Sequence, residues 1–248
     1  MEYINVELPE LPFAVEEALN KLRINVKFCG VNTRKIMVVS SLENEGKSFV
    51  AVQLWRMLAE AGFPTVLVDC DFRKSILKKR HNLKKIGHDR EHASTDDYIG
   101  IDYYLSGQAE YEDIIYETNL EKGHFIPCSN ALENPSPLLE DPRVEELLDR
   151  LAQDYRYVII DTPPLDNVSD SVQLATLSDG AILVVRSGET SRRLVRRSMQ
   201  QLERVNCSLL GTVLNRVKTG SRGYYRYYGR YGNYYSKSYY GGYYGEKE

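Results

Sequence analysis

The chain has 248 residues, of which 42% are hydrophobic, so it is long enough to build one α/β domain with a sizeable core. Its formal net charge of −3 excludes a global charge bias toward DNA or toward a membrane surface. The four cysteines lack C-x-x-C pairing and metal-ligand spacing, so we interpret them as buried free thiols of a reducing compartment. The sequence shows no signal-peptide pattern and no apolar stretch of about 18 residues, so we expect a cytoplasmic protein without a spanning helix.

Short apolar runs alternate with helical periods along the chain. Residues 1–12 are predicted as an extended N-terminal arm, and residues 13–28 as a helix whose apolar stripe includes Phe13, Ala18 and Val26. Further strands are predicted at 36–39, 65–68, 124–127, 157–160, 181–185 and 209–214, and further helices at 48–61, 141–154, 170–178 and 190–205. The strands are wholly apolar, which is typical of parallel strands covered on both faces. The predicted fold class is therefore α/β, with a three-layer, doubly wound and mostly parallel sheet.

The composition changes sharply near residue 218. Eleven of the 19 tyrosines fall between Tyr224 and Tyr244, and residues 219–248 have no hydrophobic period, so we predict that this tail is disordered. On composition alone the tail is equally typical of segments that stack on nucleic-acid bases or self-associate. A second polar segment, residues 78–100, is predicted to be irregular and on the surface. The predicted organisation is an arm (1–12), a nucleotide-binding domain (13–218) and the tail (219–248).

The strongest motif is S-S-L-E-N-E-G-K-S over residues 40–48, which follows a predicted strand and opens a predicted helix. This is the context of a P-loop, in which backbone N–H groups point at phosphates. Lys47 is expected to reach the β- and γ-phosphates and Ser48 to ligate Mg²⁺. Ser41 replaces the first glycine of the motif, so a chance G-K-S is the alternative for this motif alone. The predicted nucleotide-binding residues of the loop are Asn44, Glu45, Gly46, Lys47, Ser48 and Phe49.

Three aspartates follow predicted strands. They are Asp69, Asp71 and Asp161. In an open parallel sheet, ligands bind outside the carboxyl ends of the strands, so these carboxylates are expected to converge with Lys47 and Ser48 on one crevice. Carboxylates there hold Mg²⁺ directly or through water, and one of them can accept a proton. The alternative for any single aspartate is a helix N-cap after a strand.

Two further groups of polar residues have more than one interpretation. The histidines of the polar segment could form a metal site, although their spacing is not diagnostic and a solvated loop is the alternative. Four arginines on the predicted helix 190–205 form a basic face. That face could bind an acidic partner or a phosphorylated tail, or it could simply be solvated. The histidines are His81, His88 and His92, and the arginines are Arg192, Arg193, Arg196 and Arg197.

These motifs together resemble the bacterial tyrosine kinases (BY-kinases) of capsule and exopolysaccharide synthesis. The D-x-D-x-R element that begins at Asp69 and the terminal tyrosines are the specific parts of the resemblance, because other P-loop relatives share the rest. The resemblance implies an ATP- and Mg²⁺-dependent protein-tyrosine kinase that phosphorylates the tails of neighbouring copies and regulates capsular or exopolysaccharide synthesis and export. The segments that carry it are 40–48, 66–74, 134–148, 157–164, 179–190 and 211–217. The implied phosphorylation sites are Tyr224, Tyr225, Tyr227, Tyr228, Tyr231, Tyr234, Tyr235, Tyr239, Tyr240, Tyr243 and Tyr244.

The resemblance also implies a role for each residue of the crevice. The implied catalytic residues are Lys47, Asp69 and Asp71, of which Asp69 matches the family's proposed base for the incoming tyrosine. Asn215, at the end of the last predicted strand, lies where the family contacts adenine. The implied Mg²⁺ ligands are Ser48, Asp71 and the Walker B acid Asp161.

Partners follow from the same resemblance. In the Gram-positive type of BY-kinase, a separate membrane adaptor of the chain-length-determinant type completes the nucleotide site, which implies a location at the inner face of the membrane. A cognate tyrosine phosphatase is also implied. Unphosphorylated members form rings through an E-x-x-R-x-x-R helix, which aligns here with Glu17, Asn20 and Arg23, so the middle arginine is replaced. Each phosphate adds about −1.5 to −2 charges to the mildly basic tail. We hypothesise that ring subunits with acidic, phosphorylated tails repel one another and that the ring then separates.

Two other functions remain open from the sequence. A ParA- or MinD-type positioning ATPase shares the fold, but it carries a second lysine in the loop where this chain has Leu42, and it lacks the tyrosine cluster. An inactive nucleotide-binding scaffold is compatible with the replacements at Ser41 and Asn20. The intact lysine, serine and aspartates of the crevice argue against the scaffold.

Overall fold

The structure is a computed structural model that describes residues 2–86, 93–94, 98–166 and 169–217. The chain divides into two units, 1–215 and 216–248, and the fold given below is that of the first unit. The predicted disorder of the tail, its phosphorylation sites from Tyr224 to Tyr244, and the histidines His88 and His92 lie outside the described residues.

A ten-stranded sheet runs through the described part of the first unit. Its strands are β1 (Glu2–Asn5), β2 (Lys35–Ser40), β3 (Thr65–Asp69), β4 (Lys84–Ile86), β5 (Ala93–Ser94), β6 (Tyr116–Thr118), β7 (Gly123–Ile126), β8 (Tyr157–Asp161), β9 (Gly180–Arg186) and β10 (Leu209–Asn215). The spatial order is β10-β9-β2-β8-β3-β7-β6-β1-β4-β5. Neighbours from β10 to β7 are parallel, as are β6 and β1, whereas β6–β7, β1–β4 and β4–β5 are antiparallel.

Helices cover both faces of this sheet. They are α1 (Phe13–Phe28), α2 (Lys47–Glu60), α3 (Leu77–Arg80), α4 (Ile101–Leu105), α5 (Ser136–Leu139), α6 (Arg143–Asp154), α7 (Asp170–Thr176) and α8 (Arg192–Arg204), with a 3₁₀ turn at Tyr111–Asp113. Alternate residues of β2 enter opposite layers: Ile36 and Val38 pack with α2, while Met37 and Val39 pack with α6 and α7. The three-layer, mostly parallel α/β fold predicted from the apolar runs is therefore confirmed.

The long central elements were predicted within two or three residues, but the periphery was not. The predicted N-terminal arm contains β1, whose Ile4 is fully buried. The segment 78–100, predicted to be irregular, contributes β4 and β5. Strand β6 and helices α4 and α5 had no prediction. These short strands are held in the sheet by pairing with strands distant in sequence, as β1 pairs with β6 and β4. Local residue propensities do not encode such long-range pairing, so the sequence pattern did not predict these strands.

Helix α1 buries only part of the apolar stripe that its sequence pattern predicted. Val26 is buried and Leu22 packs against the core, as predicted, and Leu19 is buried as well. Phe13 and Ala18 are exposed, so the prediction that they belong to the buried stripe was wrong. Phe13 lies six residues before Leu19, which places it about a third of a turn away around the helix axis. The buried thiols predicted from the sequence are confirmed for three cysteines, while Cys29 is only partly buried.

Candidate nucleotide and phosphoryl-transfer site

The carboxyl ends of the parallel strands meet at one edge of the sheet. Strand β2 ends at Ser40, β3 at Asp69 and β8 at Asp161. Asp69 and Asp161 are register partners on adjacent strands, so their side chains leave the sheet at the same level. The P-loop begins directly after Ser40. The convergence of the predicted carboxylates with the loop therefore follows from strand order.

The P-loop takes the backbone shape that its residues allow. Asn44 and Gly46 have positive φ angles of 61° and 95°, and asparagine and glycine are the residues that tolerate this region best. Gly46 precedes the first turn of α2, and no described side chain caps that helix end. The first N–H groups of α2 therefore stay available to an anion, as the phosphate prediction requires. The side chain of Phe49 instead packs against the core layer beneath α2.

One contact within the P-loop and two long-range contacts from outside brace the loop. The Glu45 carboxylate accepts hydrogen bonds from the Leu42 backbone N–H at 2.9 Å and from the Thr190 hydroxyl. The Asn215 Nδ2 donates to the Glu45 carbonyl oxygen at 2.9 Å. The side chain of Glu45 is thus occupied in holding the loop closed, which leaves its backbone N–H for the predicted nucleotide contact. The adenine contact implied for Asn215 stays a prediction, since the structure places its amide on the loop backbone.

Ser41 occupies the place of the first glycine without strain. Its φ is not positive, so this backbone does not require glycine there. Its side chain is fully buried and accepts a hydrogen bond from the Ser198 hydroxyl of α8 at 2.8 Å. The sequence reasoning missed both Ser198 and Thr190. The sequence does not mark either residue, because the burial of Ser198 on the otherwise charged helix α8 is visible only in the structure.

A lysine and two carboxylates form the centre of the site. The Lys47 Nζ lies 2.7 Å from Asp71 Oδ2, 3.6 Å from Asp161 Oδ1 and 3.2 Å from the Ser48 Oγ. Burial lowers the pKa of Lys47, but the charges of Asp161 and Asp71 outweigh it, so its pKa is raised and the ammonium stays charged. Burial raises the pKa of Asp161 above its ordinary value, and the charge of Lys47 opposes this shift. The structure therefore brings Lys47, Ser48, Asp71 and Asp161 together, as the sequence predicted.

Asp69 is buried beside this cluster. Its carboxylate accepts hydrogen bonds from the Ser75 hydroxyl and from the Asp71 backbone N–H, the latter at 3.2 Å. Burial, followed by the charge of Asp161, raises the pKa of Asp69 to about 8, although the Ser75 hydrogen bond opposes the shift. Asp69 therefore holds a proton more tightly than an ordinary carboxylate. Ser75 was not predicted from the sequence.

The oxygen atoms of the centre fit a magnesium ion. The Oδ1 of Asp161 is buried and has no hydrogen-bond donor among the described residues. With Ser48 and Asp71 it forms a set of hard oxygen ligands, which Mg²⁺ prefers. Within the described ranges, no three His, Cys, Asp or Glu side chains are arranged to hold a metal ion by themselves. Mg²⁺ usually takes one or two carboxylates and completes its shell with phosphates and water.

The arginine of the D-x-D-x-R element anchors the loop that follows β3. Arg73 Nε donates to Asp170 Oδ2 at 2.7 Å, and its Nη1 donates to the Glu133 carbonyl oxygen at 3.0 Å. Asp170 is buried at the start of α7 and also accepts a hydrogen bond from Ser136 at 3.2 Å. Asp170 and Ser136, which the sequence reasoning missed, thus help to hold the backbone that carries Asp69.

The residues predicted for oligomerisation lie on α1. Arg23 donates from Nε and Nη2 to the Asn20 side-chain oxygen at 3.1 Å and 2.7 Å, so the two aligned positions pair within the helix. Glu17 is partly exposed on the same helix. His81, from the possible metal group, places its Nδ1 2.8 Å from the Glu7 carbonyl oxygen, which joins α3 to the segment after β1.

Several known proteins are similar to this chain in sequence. An AAA domain family model matches residues 33–211. The tyrosine-protein kinase CpsD of Streptococcus agalactiae is 33% identical over 216 residues, which are 86% of this chain and 90% of that protein. A CpsD of Streptococcus pneumoniae is 31% identical over 219 residues, which are 86% of this chain and 92% of that protein.

Solved structures match as well. The chimerical protein CapA2B2 has a TM-score of 0.74 and 26% identity, with 87% of this chain and 93% of that chain covered. The kinase domain of the Escherichia coli tyrosine kinase ETK has a TM-score of 0.73 and 25% identity, over 88% and 91% of the two chains. The septum site-determining protein MinD of Pyrococcus horikoshii, complexed with Mg-ADP, has a TM-score of 0.60 and 26% identity, over 76% and 72%. In the part of this chain that the structure describes, none of the helices combines the length and apolar character needed to cross a bilayer.

Proposed function

This chain belongs to the family of bacterial tyrosine kinases built on an AAA-type P-loop domain, and on that premise we propose that it transfers the γ-phosphoryl group of ATP to tyrosine hydroxyls. The proposed acceptors are the tyrosines from Tyr224 to Tyr244 of neighbouring copies, and the proposed output is regulation of capsular or exopolysaccharide synthesis and export. The observation that carries the proposal is the buried cluster of Lys47, Asp71 and Asp161 at the P-loop, with Asp69 beside it.

Each residue of the cluster has a task in this reaction. The loop N–H groups and Lys47 bind the phosphates and keep the γ-phosphoryl group in line with the acceptor. Asp69, in its ionised form, accepts the tyrosine proton while the new O–P bond forms and the bond to ADP breaks. Mg²⁺, held by Ser48, Asp71 and Asp161, supplies neutralisation of the phosphate charge when it is bound.

Intact-mass spectrometry of the full chain tests this proposal. After incubation with ATP and Mg²⁺ we expect successive phosphate additions that map to the tail, that Lys47→Met abolishes, and that the exposed control Lys79→Met retains. ATP hydrolysis without added mass, in the presence of adaptor peptides, would contradict tyrosine-kinase activity. Phosphorylation in trans is tested by mixing the Lys47→Met chain with an active full-length chain whose tail tyrosines are phenylalanine. Phosphate should then appear on the Lys47→Met chain.

The proposed assembly is a homo-oligomeric ring of unphosphorylated chains at the inner face of the membrane, docked on an adaptor of the chain-length-determinant type and reset by a tyrosine phosphatase. Exposed apolar side chains on α1 support the ring: Phe13, Ile24 and Phe28 project from the helix that carries Glu17 and Arg23. Native mass spectrometry of the phosphatase-treated chain should show an oligomer that Phe28→Ser reduces. An unphosphorylated chain that stays monomeric at all concentrations would contradict the ring.

A positioning ATPase is the less favoured function. Leu42 stands where those enzymes carry the second lysine that reaches across a dimer, and its backbone N–H here donates to Glu45 within its own loop. A Leu42→Lys variant tests the distinction. A kinase needs no lysine at that position, so we expect the parent chain and the variant to phosphorylate the tail equally well.

A further inference from the structure

An open groove runs between α8 and the edge strand β10. Its volume is ≈ 590 Å³, which lies within the range of small-ligand sites. The floor is apolar: Met199 and Leu214 remain 41% and 58% exposed, and Val195 of α8 also lines the groove. The wall carries Arg192 and Arg196. An apolar surface beside two guanidinium groups is therefore left open to solvent at this edge.

The charge of the groove is positive and largely uncompensated. Arg192 and Arg196 are one helical turn apart and share a face with Met199. Neither has an ion-pair partner among the described residues, whereas Arg197 on another face of α8 pairs with Asp166 at 3.2 Å. A third arginine at the end of the groove, Arg186, is neutralised by Glu189, and Glu203 lies at the opposite end. Two guanidinium groups thus remain available to an anionic ligand.

We propose that this groove binds phosphotyrosyl segments from the tail of a second copy of this chain. The inference rests on the proposed function, because that reaction supplies the ligand. A phosphotyrosine combines a flat apolar ring with about −1.5 to −2 charges. The ring matches the Met199–Leu214 floor, and its phosphate oxygens match the paired, planar donors of Arg192 and Arg196. A phosphoserine would satisfy the arginines and leave the apolar floor uncovered.

The groove lies on the helix that braces the P-loop. The opposite face of α8 carries Ser198, which donates to Ser41, and the turn before the helix carries Thr190, which donates to Glu45. A phosphopeptide in the groove would therefore contact an element that sets the shape of the nucleotide loop. The product of the kinase reaction is in this way placed to act back on the enzyme.

The test uses the full chain, treated with phosphatase and kept without ATP, and a fluorescent peptide of residues 231–240 with phosphotyrosine at Tyr234 and Tyr235. Binding is followed by fluorescence anisotropy. We expect the double variant Arg192→Gln/Arg196→Gln to weaken binding about tenfold or more, since each guanidinium makes charge-assisted hydrogen bonds to phosphate. The matched control Arg193→Gln/Arg204→Gln removes the same charge from outside the groove. It should change the affinity by less than about twofold, because these side chains do not line the groove and would act on the phosphates only through screened, longer-range attraction.

Two further peptides test the contact between the phosphotyrosine side chain's aromatic ring and the floor of the groove. The unphosphorylated peptide should not bind measurably, and the peptide with phosphoserine at Ser236 and Ser238 should bind less tightly than the phosphotyrosyl form despite its equal phosphate count. Met199→Ser should weaken the phosphotyrosyl peptide more than the phosphoserine peptide. Equal binding of both phosphopeptides, or equal losses in the two double variants, would overturn the proposal in favour of general anion binding. Because the ligand is synthetic and ATP is absent, a chain without kinase activity would still give a clear answer here.

Discussion

The hydrogen bond between Ser198 and Ser41 is the sharpest test of how this P-loop is held. The two side chains are 1% and 0% exposed, so a hydroxyl that loses its partner finds no water. Removing one partner of a buried pair costs about 1–3 kcal/mol, whereas replacing both partners costs little. We therefore expect Ser41→Ala and Ser198→Ala each to lower the free energy of unfolding by about 1–2 kcal/mol. The double variant should fall short of the sum by about 1 kcal/mol.

Urea unfolding of the full chain without nucleotide measures this cycle, with ADP titration calorimetry as a second readout. Ser208→Ala, at an exposed serine shortly after α8, is the matched control and should stay within about 0.5 kcal/mol of the parent. We also expect both single variants to bind ADP more weakly, because the loop loses its brace. Additivity within about 0.3 kcal/mol would refute the reasoning, since the two hydroxyls would then act independently.

Three other changes probe the site and its supports. An alanine at Gly46 would have to adopt a φ of +95°, and its Cβ would displace the Asn215 amide that holds the Glu45 carbonyl oxygen. Gly46→Ala should therefore lower ADP affinity about tenfold or more by calorimetry, and parental affinity would contradict this argument. Burial lowers the pKa of His81 below its ordinary 6.5, so the unfolded chain binds more protons and stability falls as the pH drops below that value. His81→Gln should flatten this loss in urea titrations between pH 7.5 and 5, and an unchanged slope would exclude His81 as its source. Asp170→Asn should cost about 1–2 kcal/mol of unfolding free energy, less than a fully buried pair because the Arg73 side chain is 33% exposed, and a thermal midpoint equal to the parent's would show that the pair contributes nothing.

The core of the fold and the convergence of the site residues were predictable because both depend on local patterns. A wholly apolar run marks a covered parallel strand, and a polar residue directly after such a run marks the carboxyl edge of the sheet. Asp69 and Asp161 were placed correctly on this basis, since their strands β3 and β8 are neighbours with the two aspartates in register. The P-loop needed only its Gly-Lys-Ser step between a strand and a helix. In each case a few adjacent residues carried the information.

The supports of the site were not predictable because their partners are distant in sequence. Ser198 is 157 residues from Ser41, and Arg73 is 97 residues from Asp170. A serine on a charged helix or an aspartate at a helix start has an ordinary local explanation, so the sequence does not mark it as a partner. The outer strands were missed for the same reason. β1 has four residues, and its place in the sheet is set by hydrogen bonds to β6 and β4.

The replacement of the first P-loop glycine is best understood together with the last helix and strand. Relaxed backbone geometry at residue 41 permits a side chain there, and the Ser41 hydroxyl bonds to α8. Thr190 and Asn215 hold Glu45 from the turn before α8 and from the end of β10. All three braces come from the segment that forms the groove. A ligand that binds the proposed groove and biases α8 would therefore also change the affinity of the P-loop for its nucleotide, since two ligands that bias the same element influence each other's affinity.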